Sequence, residues 1–280
     1  MRDYIFKRLL FLCSLLVLLI CGGMVYSLVS GAVPAFEKFG FISSVEWDPR
    51  PGNEQYGALA FITGTIMTSF LALVFCIPFS LPVALFTGEY FRGTRAATII
   101  GSVIDLLAGI PSIVYGLWGF YTLRPFMVDL QLSEQGFGIF TAAVVLAVMI
   151  IPYASSLSAE FISMVPKELK EGAYSLGGTR LDVIRRVIFP VAGSGIFASY
   201  ILALGRALGE TMAVTMLIGN TNILPTSFTS TGNTMASVIA NQFGEADGLK
   251  LSSLIAIGLL LFLITAIINF IGKMIMKKLS

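Results

Sequence analysis

Residues 166–190 read Pro166-Lys-Glu-Leu-Lys-Glu-Gly-Ala-Tyr-Ser-Leu-Gly-Gly-Thr-Arg-Leu-Asp-Val-Ile-Arg-Arg-Val-Ile-Phe-Pro190, a polar interval between two long apolar runs. Leu169, Ala173 and Leu176 recur at helical spacing on one face. Gly177 and Gly178 follow, and glycine takes the positive φ that closes a helix. A second amphipathic piece sets Leu181, Ile184, Val187 and Ile188 against Asp182, Arg185 and Arg186. Pro190 marks the return to apolar sequence. The pattern predicts a helix, a glycine turn and a second helix, forming a compact foot between two spans. Taken alone, the same residues also suit an interfacial helix pair lying on lipid headgroups.

Outward from this interval, six apolar runs occupy residues 9–28, 58–87, 97–121, 137–165, 191–219 and 251–276. Each is long enough to cross a hydrocarbon core, which needs about 20 residues of helix. Composition agrees, with 56% hydrophobic and 12% charged residues, about half the usual charged share of about 25%. So little polar surface cannot coat a water-soluble body, and the expected fold is an all-α membrane protein with six transmembrane helices. The first run follows Met1-Arg-Asp-Tyr-Ile-Phe-Lys-Arg8 and exceeds the roughly 7–15 residues of a signal-peptide core, which predicts an uncleaved helix. Pro78, Pro82, Pro111 and Pro152 interrupt these runs, and Pro111, lacking an N–H, predicts a kink within Leu106-Leu-Ala-Gly-Ile-Pro-Ser-Ile-Val-Tyr-Gly116.

Lys and Arg set the orientation. With the N-terminus inside, the cytoplasmic segments hold thirteen: Arg2, Lys7, Arg8, Arg92, Arg95, Lys167, Lys170, Arg180, Arg185, Arg186, Lys273, Lys277 and Lys278. The opposite side holds four, Lys38, Arg50, Arg124 and Lys250, so the positive-inside rule places both termini in the cytoplasm. Of the outer segments, 34–57 carries the turn cluster Pro49-Arg-Pro-Gly52, and 220–250 is rich in Ser, Thr, Asn and Gly. Thr226 to Thr231 reads as an ordinary solvated loop or as a dock for an external protein.

The chemistry is narrow. There is no histidine, and Cys13, Cys21 and Cys76 sit in apolar runs as small buried hydrophobes, with no disulfide framework implied. The fifth run contains Leu202-Ala-Leu-Gly-Arg-Ala-Leu-Gly-Glu-Thr-Met-Ala-Val-Thr-Met216. Arg206 and Glu210 there each cost about 2.5–3.5 kcal/mol at mid-membrane unless paired or wet. Their i, i+4 spacing permits a structural ion pair that locks helices together. The alternative is a charged site on a solute pathway, where the planar guanidinium fork suits a tetrahedral oxyanion. Thr211 adds a hydroxyl. Asp105, about 12 Å into the third run at 1.5 Å per residue, either pairs with Arg206 or lines the pathway. Ser112, beside Pro111, either donates to an anion or satisfies a carbonyl freed by the kink.

The foot also carries a resemblance. Glu171-Gly-Ala173, three residues, Gly177, nine residues and Val187-Ile-Phe-Pro190 resemble the EAA loop of ABC importer permeases, with the spacing kept in full. That pattern has Glu-Ala-Ala and Ile-x-Leu-Pro, so Gly172, Val187 and Phe189 depart mildly. The segments 107–119 and 205–220, with Tyr56-Gly-Ala-Leu-Ala-Phe-Ile-Thr-Gly-Thr65, are similar to permease subunits of the phosphate-specific ABC importer, of the PstC type. Met212-Ala213 stands where the PstA-type sister has Ala-Pro.

The resemblance implies a type I (MetI-like) permease fold in a prokaryotic cytoplasmic membrane. It divides the chain into a peripheral helix and outer loop at 1–57 and a five-helix core at 58–280. It implies that Glu171, Gly172, Ala173, Gly177 and Pro190 couple to a separate ATPase, since the chain has no G-x-x-x-x-G-K-S/T phosphate loop and is not itself an enzyme. Arg206, Glu210, Thr211, Asp105 and Ser112 are implied in the substrate pathway. Expected partners are a PstA-type sister permease, two ATPase subunits, an extracytoplasmic phosphate-binding protein, inorganic phosphate and membrane lipid, with no nucleic acid, metal or cofactor. Rival readings are a permease for another oxyanion (molybdate or sulfate), an ion-coupled secondary carrier using Glu210 as a proton relay, and a membrane scaffold or sensor subunit.

Overall fold

The computed structural model describes residues 2–37, 40–50 and 54–279, the side chains of 2–5 and 279 excepted; Lys38 and the Pro51-Gly52 end of the turn cluster lie outside them. The elements are α1 (Arg2–Phe36), β1 (Trp47–Asp48), β2 (Gln55–Tyr56), α2 (Leu59–Leu85), α3 (Arg95–Ala108), α4 (Ser112–Trp118) and α5 (Arg124–Asp129). They continue as α6 (Ile139–Ser163), α7 (Lys167–Ser175), α8 (Arg180–Val183), α9 (Phe189–Leu208), α10 (Met212–Thr215), α11 (Met235–Gln242) and α12 (Gly248–Leu279). The two short strands pair antiparallel, with Trp47 opposite Tyr56.

Five stretches are continuous and apolar enough to cross a membrane: Phe6–Phe36, Leu59–Tyr90, Ile139–Ser163, Arg180–Leu208 and Gly248–Lys278. The third predicted run is instead a broken pair, Arg95–Ala108 and Ser112–Asp129, bent by 93°. Pro111, at φ −59° and ψ 141°, has no N–H to continue the ladder, and its ring disfavours helix at Ile110. The Leu107 carbonyl released by the break accepts from the Tyr115 hydroxyl at 2.8 Å. A right-angle break therefore replaces the expected kink. The fifth run is also displaced from 191–219: its helix starts inside the foot, passes through a π-helical turn at Ile184–Ile188, and stops at Leu208.

α6 lies at the centre, with Ala142, Ala143, Val145, Ala147, Ile150, Ala154 and Ile162 buried against its neighbours. In lipid, helices associate through close packing and hydrogen bonds rather than apolar burial, and small residues permit that approach. α1 is peripheral in this packing. Its last third packs on the bundle, with Ala32 and Ala35 buried and the Gly31 carbonyl accepting from Ser252 at 2.7 Å. Side chains 6–24 are exposed throughout, so Cys13 and Cys21 are exposed rather than buried, and Cys76 alone of the cysteines meets the expectation. α11 is a mildly apolar stretch within the otherwise polar segment 220–250. Its first N–H, at Met235, is taken by Thr65 Oγ1 of α2 at 2.9 Å, which seats a short polar-flanked helix inside the bundle.

Candidate functional site

The break in the third span faces the break after α9. Gly116 and Gly119 let α4 and the turn after it press against α10: a Cβ on Gly116 would lie 2.8 Å from Met216 Sδ and 3.1 Å from Ala213 Cα. On Gly119 it would lie 2.6 Å from Val145 Cγ2. Two interrupted segments thus meet against α6, where non-helical backbone is tolerated because protein surrounds it.

Arg206 stands in the last turn of α9, and Glu210 lies beyond the helix end at Leu208. The expected i, i+4 face does not exist. Glu210 Oε1 instead accepts from the backbone N–H of Ala213 at 3.3 Å, closing the first turn of α10. Among the described residues, Arg206 and Glu210 form no ion pair; the three ion pairs present are Asp48–Arg50, Glu89–Lys170 and Asp182–Arg186. The Arg206 guanidinium lies 5.8 Å from the centre of the Tyr153 ring, within cation–π range, and is exposed on the surface of the chain. A guanidinium on the flank of an apolar bundle needs water, an anion or another chain beside it.

The remaining predicted residues fall as follows. The Thr211 hydroxyl donates to the Gly209 carbonyl at 3.3 Å, a local backbone bond of the kind short hydroxyl side chains favour. Ser112 opens α4 half-buried, and its hydroxyl makes no hydrogen bond among the described residues; the carbonyl freed by the break is taken by Tyr115 instead. Asp105 is exposed on α3 and pairs neither with Arg206 nor with any other described residue. Arg206, Glu210, Thr211 and Ser112 are thereby gathered around one pair of broken helices, with Asp105 standing apart on an outward face.

At the end of α6 opposite the foot is a cleft of about 870 Å³, lined by residues 131–135 and by Thr215, Asn220, Ser227 and Thr231. Gln131 and Asn220, at φ 56° and 52°, both border it. Its hydroxyls are largely engaged internally: Ser133 to the Phe137 carbonyl at 2.7 Å, Thr221 to Thr231 at 3.1 Å and Ser230 to the Ser227 carbonyl at 2.7 Å.

The foot is built as predicted in outline. α7 ends in a Schellman turn, with Gly177 at φ 86°, the Gly178 N–H donating to the Ala173 carbonyl at 3.1 Å and the Gly177 N–H to Tyr174 at 2.9 Å. Thr179 and Asp182 form a capping box at the start of α8. Thr179, donating from its hydroxyl and its N–H, holds the Asp182 carboxyl below the ordinary carboxylate range, and the Arg186 and Arg185 charges add to this.

Which faces turn inward differs from the expectation. In α7 the inward residues are Lys170, buried, and Ala173, half-buried, while Leu169, Tyr174 and Leu176 point out, Leu176 with 91% of its surface exposed. In the second piece Val183, Ile184 and Ile188 are buried and Leu181 is exposed. Lys170 is inward because its Nζ pairs with Glu89, in the π-helical turn Phe86–Tyr90 that extends α2. Beside that pair, Arg180 lies 5.7 Å from the Tyr90 ring. Sequence reasoning passed over Glu89. The available signal was an acid ending an apolar run, opposite a lysine on the Ala173 side of an amphipathic helix.

An all-helical bundle with paired helix breaks in its interior and a helix–turn–helix foot at one end is the architecture of a multi-pass membrane permease. The chain belongs to the binding-protein-dependent transport system inner membrane component family, whose model matches residues 80–280. It is similar to the phosphate transport system permease protein PstC of Haemophilus influenzae, at 40% identity covering 99% of this chain and 94% of that protein. The protein of the same name from Mesorhizobium japonicum is 40% identical, covering 100% and 91%. The probable ABC transporter permease protein YqgH of Bacillus subtilis is 34% identical, covering 92% and 81%. Among solved structures, the MetNI methionine ABC transporter in an inward-facing conformation matches with a TM-score of 0.63 at 19% identity, covering 78% of this chain and 94% of that one. The fold is therefore that of a MetI-type ABC importer permease.

Proposed function

We infer that this chain is the transmembrane permease subunit of an ATP-driven phosphate importer. The observation that carries the reading is Arg206: a guanidinium on the surface of an apolar bundle, beside two broken helices, with an aromatic ring as its neighbour and no carboxylate paired to it among the described residues. Its fork is free to donate two parallel hydrogen bonds to an oxyanion. Near-full-length similarity to phosphate transport system permeases supplies the substrate. The secondary-carrier reading loses ground, because the Glu210 carboxylate serves as a helix cap.

In this reading both termini and the foot are cytoplasmic, and 58–280 forms a permease core to which 1–57 adds a peripheral helix. The outward Leu169, Tyr174, Leu176 and Leu181 offer an apolar surface to an ATPase subunit. Glu171, Gly172, Ala173, Gly177 and Pro190 shape that surface. A PstA-type sister permease faces Arg206 and completes the pathway, along which Glu210, Thr211, Ser112 and Asp105 lie. An extracytoplasmic phosphate-binding protein delivers substrate to the opposite end. Movement of the foot on ATP binding rocks the spans, so that the site opens to each side in turn.

The test is uptake into proteoliposomes holding the permease pair and ATPase, with binding protein outside. Phosphate accumulation that requires ATP supports the reading; full-rate movement without ATPase defeats it. Competition by sulfate and molybdate decides among oxyanions.

A further inference from the structure

Of the three ion pairs among the described residues, two are local, Asp48–Arg50 within a turn and Asp182–Arg186 within the foot. The third joins residues 81 apart in sequence, Glu89 and Lys170, whose side chains are only 17% and 10% exposed. Buried charges persist only where paired, so this contact constrains both elements that supply it. We propose that Glu89 and Lys170 are positioning residues that tie the foot to α2, so that α2 moves with α7. The proposal rests on the reading of the chain as an ATP-driven permease.

The surrounding geometry fits a tie. The foot is joined covalently to two helices: α7 follows α6 after the short link 164–166, and α8 runs through the π-helical turn into α9, which ends beside Arg206. α7 has no such continuity with α2. The π-helical turn Phe86–Tyr90 supplies it indirectly, by carrying Glu89 to the foot. From there α2 leads back to the site: Thr65 accepts from Met235 of α11, and Ser237 of α11 accepts from Thr215 of α10 at 2.9 Å. α10 is the helix that Glu210 caps. A displacement of the foot thus reaches the broken helices through α6 and α9, which are covalently joined to it, and through α2 by way of the ion pair.

The test uses the complete transporter in proteoliposomes, reading phosphate uptake, basal and binding-protein-stimulated ATP hydrolysis, and recovery of the ATPase with the permease. Glu89→Gln and Lys170→Gln should each retain the ATPase and basal hydrolysis, yet lower stimulated hydrolysis and uptake roughly tenfold, within the range of intersite couplings. The swap of Glu89→Lys with Lys170→Glu should restore them. Because one unpaired charge can by itself disorder the foot, Glu89→Leu with Lys170→Met removes both; it should assemble and stay uncoupled. Unchanged uptake in the single variants or in this double variant, a swap that restores nothing, or loss of the ATPase in every variant overturns the tie. Thiol labelling of Ser112→Cys, in a chain whose exposed Cys13 and Cys21 are replaced by serine, reads the same coupling with and without ATP and without substrate. An ATP-dependent change in the parent that is absent from the variants supports the tie even where phosphate uptake fails, and its persistence in them overturns it.

Discussion

Glu210 accepts a hydrogen bond from the backbone N–H of Ala213 at 3.3 Å, and so completes the first turn of α10 instead of neutralising Arg206 four residues earlier. The two charges that the sequence sets on one helical face are separated by the end of α9 at Leu208. Each acquires a different task. The carboxylate holds backbone, and the guanidinium is left for something outside the chain.

Arg206→Gln is therefore expected to lower phosphate uptake while leaving the permease folded. Hydrogen bonds to a charged group contribute about 1.5–3 kcal/mol, which corresponds to a fall of roughly 10–150-fold. With no ion pair to lose among the described residues, and only the contact with the Tyr153 ring removed, stability in detergent should fall by no more than about 1 kcal/mol. Arg206→Lys keeps the charge without the fork and should fall in between.

Glu210 separates cap from charge. Glu210→Gln retains an oxygen for the Ala213 N–H, and its stability should match the parent. Glu210→Ala should lose about 1 kcal/mol, the usual value of an N-terminal capping side chain. Thermal melts of the two variants, run beside uptake, distinguish the roles: transport lost in the glutamine variant assigns importance to the charge.

Gly116→Ala should destabilise the bundle by about 1–3 kcal/mol, the range for overpacking a close-packed contact. The added methyl meets Met216 Sδ at 2.8 Å, a flexible side chain, but also Ala213 Cα at 3.1 Å, which is backbone and cannot swing away. Met216→Ala in the same chain should recover part of the loss, and a denaturation series on the two single variants and the double variant measures it.

The foot offers an internal contrast between two glycines. Gly177, at φ 86°, occupies the left-handed region, and Gly177→Ala should cost about 1–2 kcal/mol. Gly172 lies inside α7 with nothing within 4 Å of an added Cβ, so Gly172→Ala should stabilise the helix by roughly 0.5–1 kcal/mol. Hydrogen exchange across α7 reads both signs.

The capping box gives the foot a pH dependence of defined sign. The folded Asp182 carboxyl titrates below its ordinary value because Thr179 donates to it, with Arg186 and Arg185 assisting. Its contribution is present above the unfolded carboxylate range and is lost as pH falls through the lowered folded value. Protection of the amides at residues 179–183, taken relative to their intrinsic exchange rate at each pH, should fall in acid, and Asp182→Asn should flatten that profile.

Much of this was legible along the chain because the physics is local. A run of apolar residues must be helical and buried in lipid wherever it packs, since its backbone has no other hydrogen-bond partner there. Gly177 ends α7 through its own backbone freedom, and Pro111 breaks the third span by lacking an N–H; neither needs a neighbour. The resemblance in residues 171–190 is likewise a matter of spacing. Direction and pairing are different. That Leu169 and Leu176 face outward while Lys170 faces inward depends on Glu89, brought alongside by the packing of α2 against α6. That Glu210 turns to Ala213 depends on α9 stopping at Leu208, with α10 pressed against Gly116. The sequence by itself determined the apolar helical runs, the interruption at Pro111 and the foot, because helix formation and its interruption are decided within a few residues. The right angle at that interruption and the end of α9 at Leu208, inside a run expected to continue, emerged only in the fold. Only the tertiary structure decided which charge is paired and which is left free, because a buried charge takes the partner that packing places within reach, however distant in the chain.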